Sequence, residues 1–260
     1  IAWSGSIGTT EPDDAITRVW STPDTVYMVL RAGGSISAQA SVLAPPTYWD
    51  IAPEGYNDNV GHSQVLGASV GYVINSILRF EMGADNRSSF TYKKSQSAPS
   101  VTLSDFNWGP RIREFKINNT TVMGSLFVNG SGLPSPIYYK SETYSIDPFL
   151  GVGIGVAFNT LDHLHSLQSQ PPYRAFSVMT AGKTTQEFAY QFMAGFDIKT
   201  SRKIAIGFSY RYVDAGAFES SNHLADNSNS TTLSSGTAVP VWTGKLIINE
   251  FYATLKYALG

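Results

Sequence analysis

The chain contains no cysteine, so disulfide scaffolds, thiolate metal sites and cysteine nucleophiles are all excluded. It has no apolar run near the ~18 residues that a membrane-spanning helix needs. Charge is scarce: Lys and Arg number 18 and Asp and Glu 20, together 15% of 260 residues, against roughly 25% in ordinary soluble domains. The net charge of -2 lacks the basic surplus of a nucleic-acid binder. There is no basic stretch ahead of an apolar one, which suits an already processed chain beginning at Ile1. Aromatics, by contrast, reach 13%, too much apolar surface for a disordered chain.

What recurs is alternation with a period of two. In Phe188–Ile198 one face carries Phe188, Tyr190, Phe192, Ala194, Phe196 and Ile198, and the other Ala189, Gln191, Met193, Gly195 and Asp197. Similar patterns run through Val26–Ser37, Leu66–Tyr72, Leu78–Arg87, Thr120–Asn129, Leu150–Phe158, Ile204–Tyr212 and Glu250–Leu259. Interleaved Gly and β-branched residues disfavour helix, so these segments are predicted to be eight strands.

The second face is Gly, Ala and Ser, punctuated by single Arg, Lys, Asp and Glu. Glycine weakens a strand and serves no purpose on a solvated face, but it suits a narrow enclosed lumen. The bulky face then meets lipid. Five alternate positions span nine residues, the length of a tilted strand crossing a bilayer. The expected fold is all-β: an eight-stranded antiparallel up-and-down transmembrane β-barrel with long external loops at about 41–64, 94–119, 159–186 and 218–245. Residues 130–146 are too long for an inner turn. They could hold an extra hairpin which, with Arg111 to Lys116, would raise the count to ten strands. Residues 1–24 are expected as a segment capping the barrel formed by 25–260. A soluble β-sandwich is the rival fold.

The run Gly207–Gly216, the Gly-alternating Pro148–Ala157 and the turn and strand Asn75–Glu81 resemble the opacity-type surface antigen family, barrels related in architecture to the OmpA membrane domain. The resemblance covers the strands. It implies the outer membrane of a Gram-negative bacterium and roles in surface exposure, adhesion or envelope integrity.

Charges in a narrow lumen lose hydration and should pair. Arg31, Arg79, Glu81, Asp85, Arg87, Asp197, Arg211, Glu250 and Lys256 all fall on the inner face. A turn at 199–202 would set Asp197 across from Ala205, Ala205 across from Lys256, and Arg211 across from Glu250. The expected contacts are Asp197–Lys256 low in the barrel and Arg211–Glu250 higher. Tyr190, Tyr210, Tyr212 and Tyr257 lie near strand ends, where aromatic belts meet the lipid boundaries.

No catalytic, cofactor or metal site is expected. His62, His163, His165 and His223 all fall in expected external loops. Asp162-His163-Leu164-His165-Ser166 could hold a metal if that loop were a strand, but such a pair needs further ligands and supporting groups. Adjacent His165 and Ser166 would point apart in an extended chain, against a hydrolase site. Gly151–Gly155 lacks the helix and acidic residue of a dinucleotide fold. The sequence therefore points to a non-enzymatic surface protein with a lumen blocked by polar and ionic side chains, surrounded by lipid and lipopolysaccharide. Its loops, with Tyr48, Trp49, Trp108, Tyr173 and Trp242, would meet host or neighbouring molecules. A small-solute pore and a lipid-modifying hydrolase are the alternatives.

Overall fold

The computed structural model describes Trp20, residues 22–38, 40, 42, 55–96, 111–141, 143–168, 176–200, 203–226 and 236–259. Twelve strands occur among them: β1 (Val26–Ser37), β2 (His62–Val73), β3 (Leu78–Gln96), β4 (Arg111–Asn129), β5 (Tyr139–Lys140), β6 (Ser145–Leu161), β7 (His165–Gln168), β8 (Phe176–Thr180), β9 (Lys183–Lys199), β10 (Ile204–Glu219), β11 (Leu224–Asp226) and β12 (Thr243–Ala258).

Eight of these close a ring, β1-β2-β3-β4-β6-β9-β10-β12, every neighbour antiparallel and β12 returning to β1. Closure leaves no unpaired edge inside a bilayer, the condition a spanning sheet must meet. No helix among the described residues is long and apolar enough to cross a membrane. The ring does not grow to ten strands. Arg111 to Lys116 are the upper part of β4, and β5 is a two-residue strand paired to the start of β6 beyond the end of β4.

The expected long connections are shorter than the sequence suggested, because the strands run on past the apolar band. β3 extends to Gln96, β4 begins at Arg111, and β6 and β9 stay paired up to Leu161 and Lys183. The polar composition of these stretches hides strands that stand above the lipid. At this end β4 leaves β6 and pairs with β7, and β7, β8 and β11 continue the sheet.

Along each strand the large apolar residues point out. Leu30, Leu66, Leu150, Ile154, Phe188, Phe192 and Phe251 are exposed, while Arg87, Asp85, Arg211 and Glu250 are buried. The outward apolar files end in polar pairs: Asn86 Nδ2 donates to Thr120 Oγ1 at 2.9 Å, and Tyr210 Oη to Asn249 Oδ1 at 2.5 Å. At the opposite end the short connections after β2 and β9 mark the periplasmic side.

The interior has three storeys. At the periplasmic end Trp20, Tyr27, Val29, Val73, Ala205 and Ala258 pack together, with the Trp20 and Tyr27 rings 5.8 Å apart. Charged side chains fill the middle. Above them lies an apolar core that includes Phe90, Tyr92, Phe115, Phe218, Trp242 and Leu246. Two bulges make this core: the registers slip between Arg87 and Phe90 and between Asp214 and Ala217. Each adds one residue to its strand, which swaps the faces beyond it and turns Phe90, Tyr92 and Phe218 inward. Ser89 and Gly216 carry the positive φ of these bends, 64° and 74°.

Candidate functional site: the charged lumen

Inward glycines make room for the lumen side chains. A Cβ on Gly151 would lie 2.5 Å from Phe127 Cδ1, and one on Gly153 would lie 2.8 Å from Gln191 Nε2. The flat floor on β6 thus lets Phe127, Met193 and Gln191 cross the interior from β4 and β9.

The nine charges named from the sequence lie together inside the ring, and they form one chain of alternating sign. Arg79 meets Asp197 at 2.5 Å, Asp197 meets Lys256 at 2.7 Å, and Lys256 approaches Glu81 at 3.9 Å. Glu81 pairs with Arg31 at 3.2 Å, Arg31 with Asp85 at 3.1 Å, and Asp85 with Arg211 at 2.7 Å. Arg211 and Arg87 then share Glu250, each at 2.5 Å. Five cations against four anions leave one net positive charge (5 - 4 = +1).

Neutral groups occupy some of the remaining bonding positions, which lowers the cost of burying the ions, while Arg31 Nε, Arg79 Nε and Nη2 and Asp197 Oδ1 make no hydrogen bond among the described residues. Tyr27 Oη donates to Glu81 at 3.0 Å and Ser35 Oγ to Glu250 at 2.6 Å. Arg87 donates to Asn119 at 2.7 Å and Thr121 at 3.0 Å. The Arg79 guanidinium sits 4.8 Å from the Phe127 ring centre and 4.6 Å from that of Phe149, a stacking geometry that suits a planar, weakly hydrated cation.

The registers explain the contacts. Ala205 pairs with Lys256 and Arg211 with Glu250. Asp197 lies across from Gly207, however, and not from Ala205, which faces Lys199. The hairpin is centred about residue 202, so Asp197 faces a position two residues further along β10 than a turn centred on 199–202 would give. Lys256 therefore reaches Asp197 diagonally, past a glycine.

Sequence reasoning missed a tenth and an eleventh member. Lys199 Nζ donates to Asp147 at 2.6 Å, and Asp147 also receives the Ser131 backbone N–H at 2.8 Å and hydroxyl at 2.7 Å. Both residues continue inward files already recognised, Asp147 below Gly151 and Lys199 beyond Asp197. Carrying the alternation two residues beyond Asp197 and four before Gly151 would have found them.

The tyrosines stand on the outer surface. Tyr257 pairs with Met28 and Ile204 near the periplasmic end. Tyr190 and Tyr212, with rings 6.5 Å apart, gather with Tyr210 toward the other end. Trp242 is not on a contact surface: it is fully buried, 6.2 Å from the rings of Tyr92 and Phe115. Tyr48, Trp49, Trp108 and Tyr173 lie outside the described residues, as do residues 1–19 of the expected cap. The histidines are not all in loops. His62 opens β2, His165 opens β7, and His223 forms an isolated bridge with Ala238.

Residues 27–239 match the outer membrane protein beta-barrel domain family. The chain belongs to that family. Its place is the outer membrane of a Gram-negative bacterium, where it is surrounded by lipid and lipopolysaccharide. Among solved structures it is similar to Neisserial surface protein A, at 11% identity over 89% of this chain and 96% of that one, with a TM-score of 0.45. It is also similar to OprG of Pseudomonas aeruginosa, at 10% identity over 90% and 97%, TM-score 0.45. A third is the attachment invasion locus protein Ail of Yersinia pestis, at 10% identity over 89% and 99%, TM-score 0.34. No curated protein matches the chain.

Proposed function

We propose that the barrel is a closed, non-enzymatic carrier that holds outer connections at the bacterial surface for adhesion or envelope contacts. The alternating chain of charges supports this reading most directly. Arg31, Arg79, Glu81, Asp85, Arg87, Asp197, Arg211, Glu250 and Lys256 are each paired with another of the set, which leaves little bare charge to attract a solute or activate water. The apolar storey above and the Trp20–Tyr27 cluster below add two further barriers. The tyrosines near the strand ends would hold the barrel at its lipid boundaries, with Tyr257 at the inner one and Tyr190, Tyr210 and Tyr212 at the outer one.

Such an interior is costly to open. Water entering the middle would have to separate ions that already neutralise each other, and entering the upper storey it would hydrate buried aromatic rings. Single-channel recording in a planar bilayer tests the reading: no steady current is expected. Stable conductance on the nanosiemens scale would favour the small-solute pore instead. A changed membrane lipid profile in cells making the protein, abolished by His165→Ala, would favour the hydrolase.

A further inference from the structure

Where β6 ends, the chain holds two imidazoles at one hollow above the lipid band. Leu161 pairs with Ile117 and His165 with Glu114, so four steps on one strand face three on β4. The extra residue turns Asp162–Leu164 out of the ladder. Its backbone is pinned there: Asp162 N–H donates to the Lys116 carbonyl at 3.0 Å, and Leu164 N–H to Thr180 Oγ1 at 3.1 Å. His163 and His165 have ring centres 6.3 Å apart and line a hollow of about 300 Å³ with Glu114, Lys116 and Asp162.

His163 Nδ1 lies 2.7 Å from the carbonyl oxygen of Thr180. A carbonyl can only accept, so Nδ1 bears a proton, and in the neutral ring the lone pair is on Nε2. Metal-binding histidines are held in this way: a backbone carbonyl on one nitrogen fixes the tautomer and aims the other. Two imidazoles on one tetrahedral ion, with metal–nitrogen bonds of about 2 Å, have ring centres about 5 Å apart. Side-chain rotation covers the remaining gap.

We propose that His163 and His165 form a surface site for a late first-row transition-metal ion, Zn²⁺ or Cu²⁺, taken up from the medium. Imidazole ligands select these ions over Mg²⁺ and Ca²⁺, which prefer oxygen cages. As the side chains stand, no third His, Asp or Glu completes a cage among the described residues, so water fills the other positions and the ion exchanges readily. The site does not depend on whether the lumen conducts.

The test is calorimetric titration of ZnCl₂ and CuCl₂ into the folded full chain in detergent micelles. One saturable ion per chain is expected, weakened at least about tenfold by His163→Ala or His165→Ala and unaffected by His62→Ala or His223→Ala. With Cu²⁺, electron paramagnetic resonance should show splitting from two nitrogens. Heat-dependent gel mobility verifies that each variant is folded. Absence of saturable binding, binding that survives the double variant, or a single-nitrogen spectrum would overturn the proposal.

Discussion

The middle and upper storeys of the lumen solve one problem by opposite means. Both fill an eight-stranded interior with side chains. The middle uses ions, each buried and each dependent on a partner from another strand: Arg211 on β10 serves Asp85 on β3 and Glu250 on β12. The upper storey uses rings, such as Tyr92 stacked on Phe115 at 4.5 Å, whose contacts are many and individually weak. An ionic filling is therefore brittle under single changes and forgiving of paired ones. An aromatic filling loses stability in proportion to the volume removed.

Substitutions can break this contrast. Arg211→Met should be the most damaging, at about 3–5 kcal/mol, since it takes one cationic partner from each of two buried carboxylates, Asp85 and Glu250. Urea unfolding in micelles, followed by gel mobility, measures it. Trp242→Ala should cost about 3 kcal/mol by leaving a cavity in the upper core, with no change in the middle network. Phe192→Arg, on the lipid side, should cost about 2–3 kcal/mol in bilayers, and much less in a micelle that lets the cation reach water. Asp197→Asn and Lys256→Met should couple by about 1–3 kcal/mol, the pair together being milder than the sum. A strictly additive result would mean that the two side chains do not act as a unit. The smallest effect, about 1 kcal/mol, is expected for Tyr210→Phe, which removes the hydrogen bond to Asn249 at the outer edge.

The two storeys were not equally legible in the sequence. The middle could be read because Arg79, Glu81, Asp85 and Arg87 keep one parity, and a charge on a glycine-rich face stands out. The upper storey was hidden by the bulges at Ser89 and Gly216. Beyond each, the inward set changes from odd to even positions, so Phe90 and Phe218 register as breaks in the pattern. Trp242 looked like a loop residue because it follows the Ser- and Asn-rich stretch 227–236 and stands between Pro240 and Gly244, while its burial comes from Tyr92 and Phe115, far away in the chain. The Asp197 register missed by two residues on β10 because the turn sequence alone does not reveal where a hairpin is centred.

The hollow at His163 and His165 teaches the same lesson from the other side. Two histidines two apart in a polar stretch carry little information by themselves. What gives them direction is Thr180, brought in by the pairing of β7 with β8, a contact that no local pattern announces.

The most direct measurement of the closed lumen uses the natural absence of cysteine. Ser125, buried on β4 and bonded by Gln191 at 2.7 Å, can be replaced by a thiol of nearly equal size. In the folded barrel Ser125→Cys should resist a water-soluble maleimide and react only after heat unfolding. Rapid labelling of the folded protein, at the rate of an exposed thiol, would show a wet interior and contradict the account.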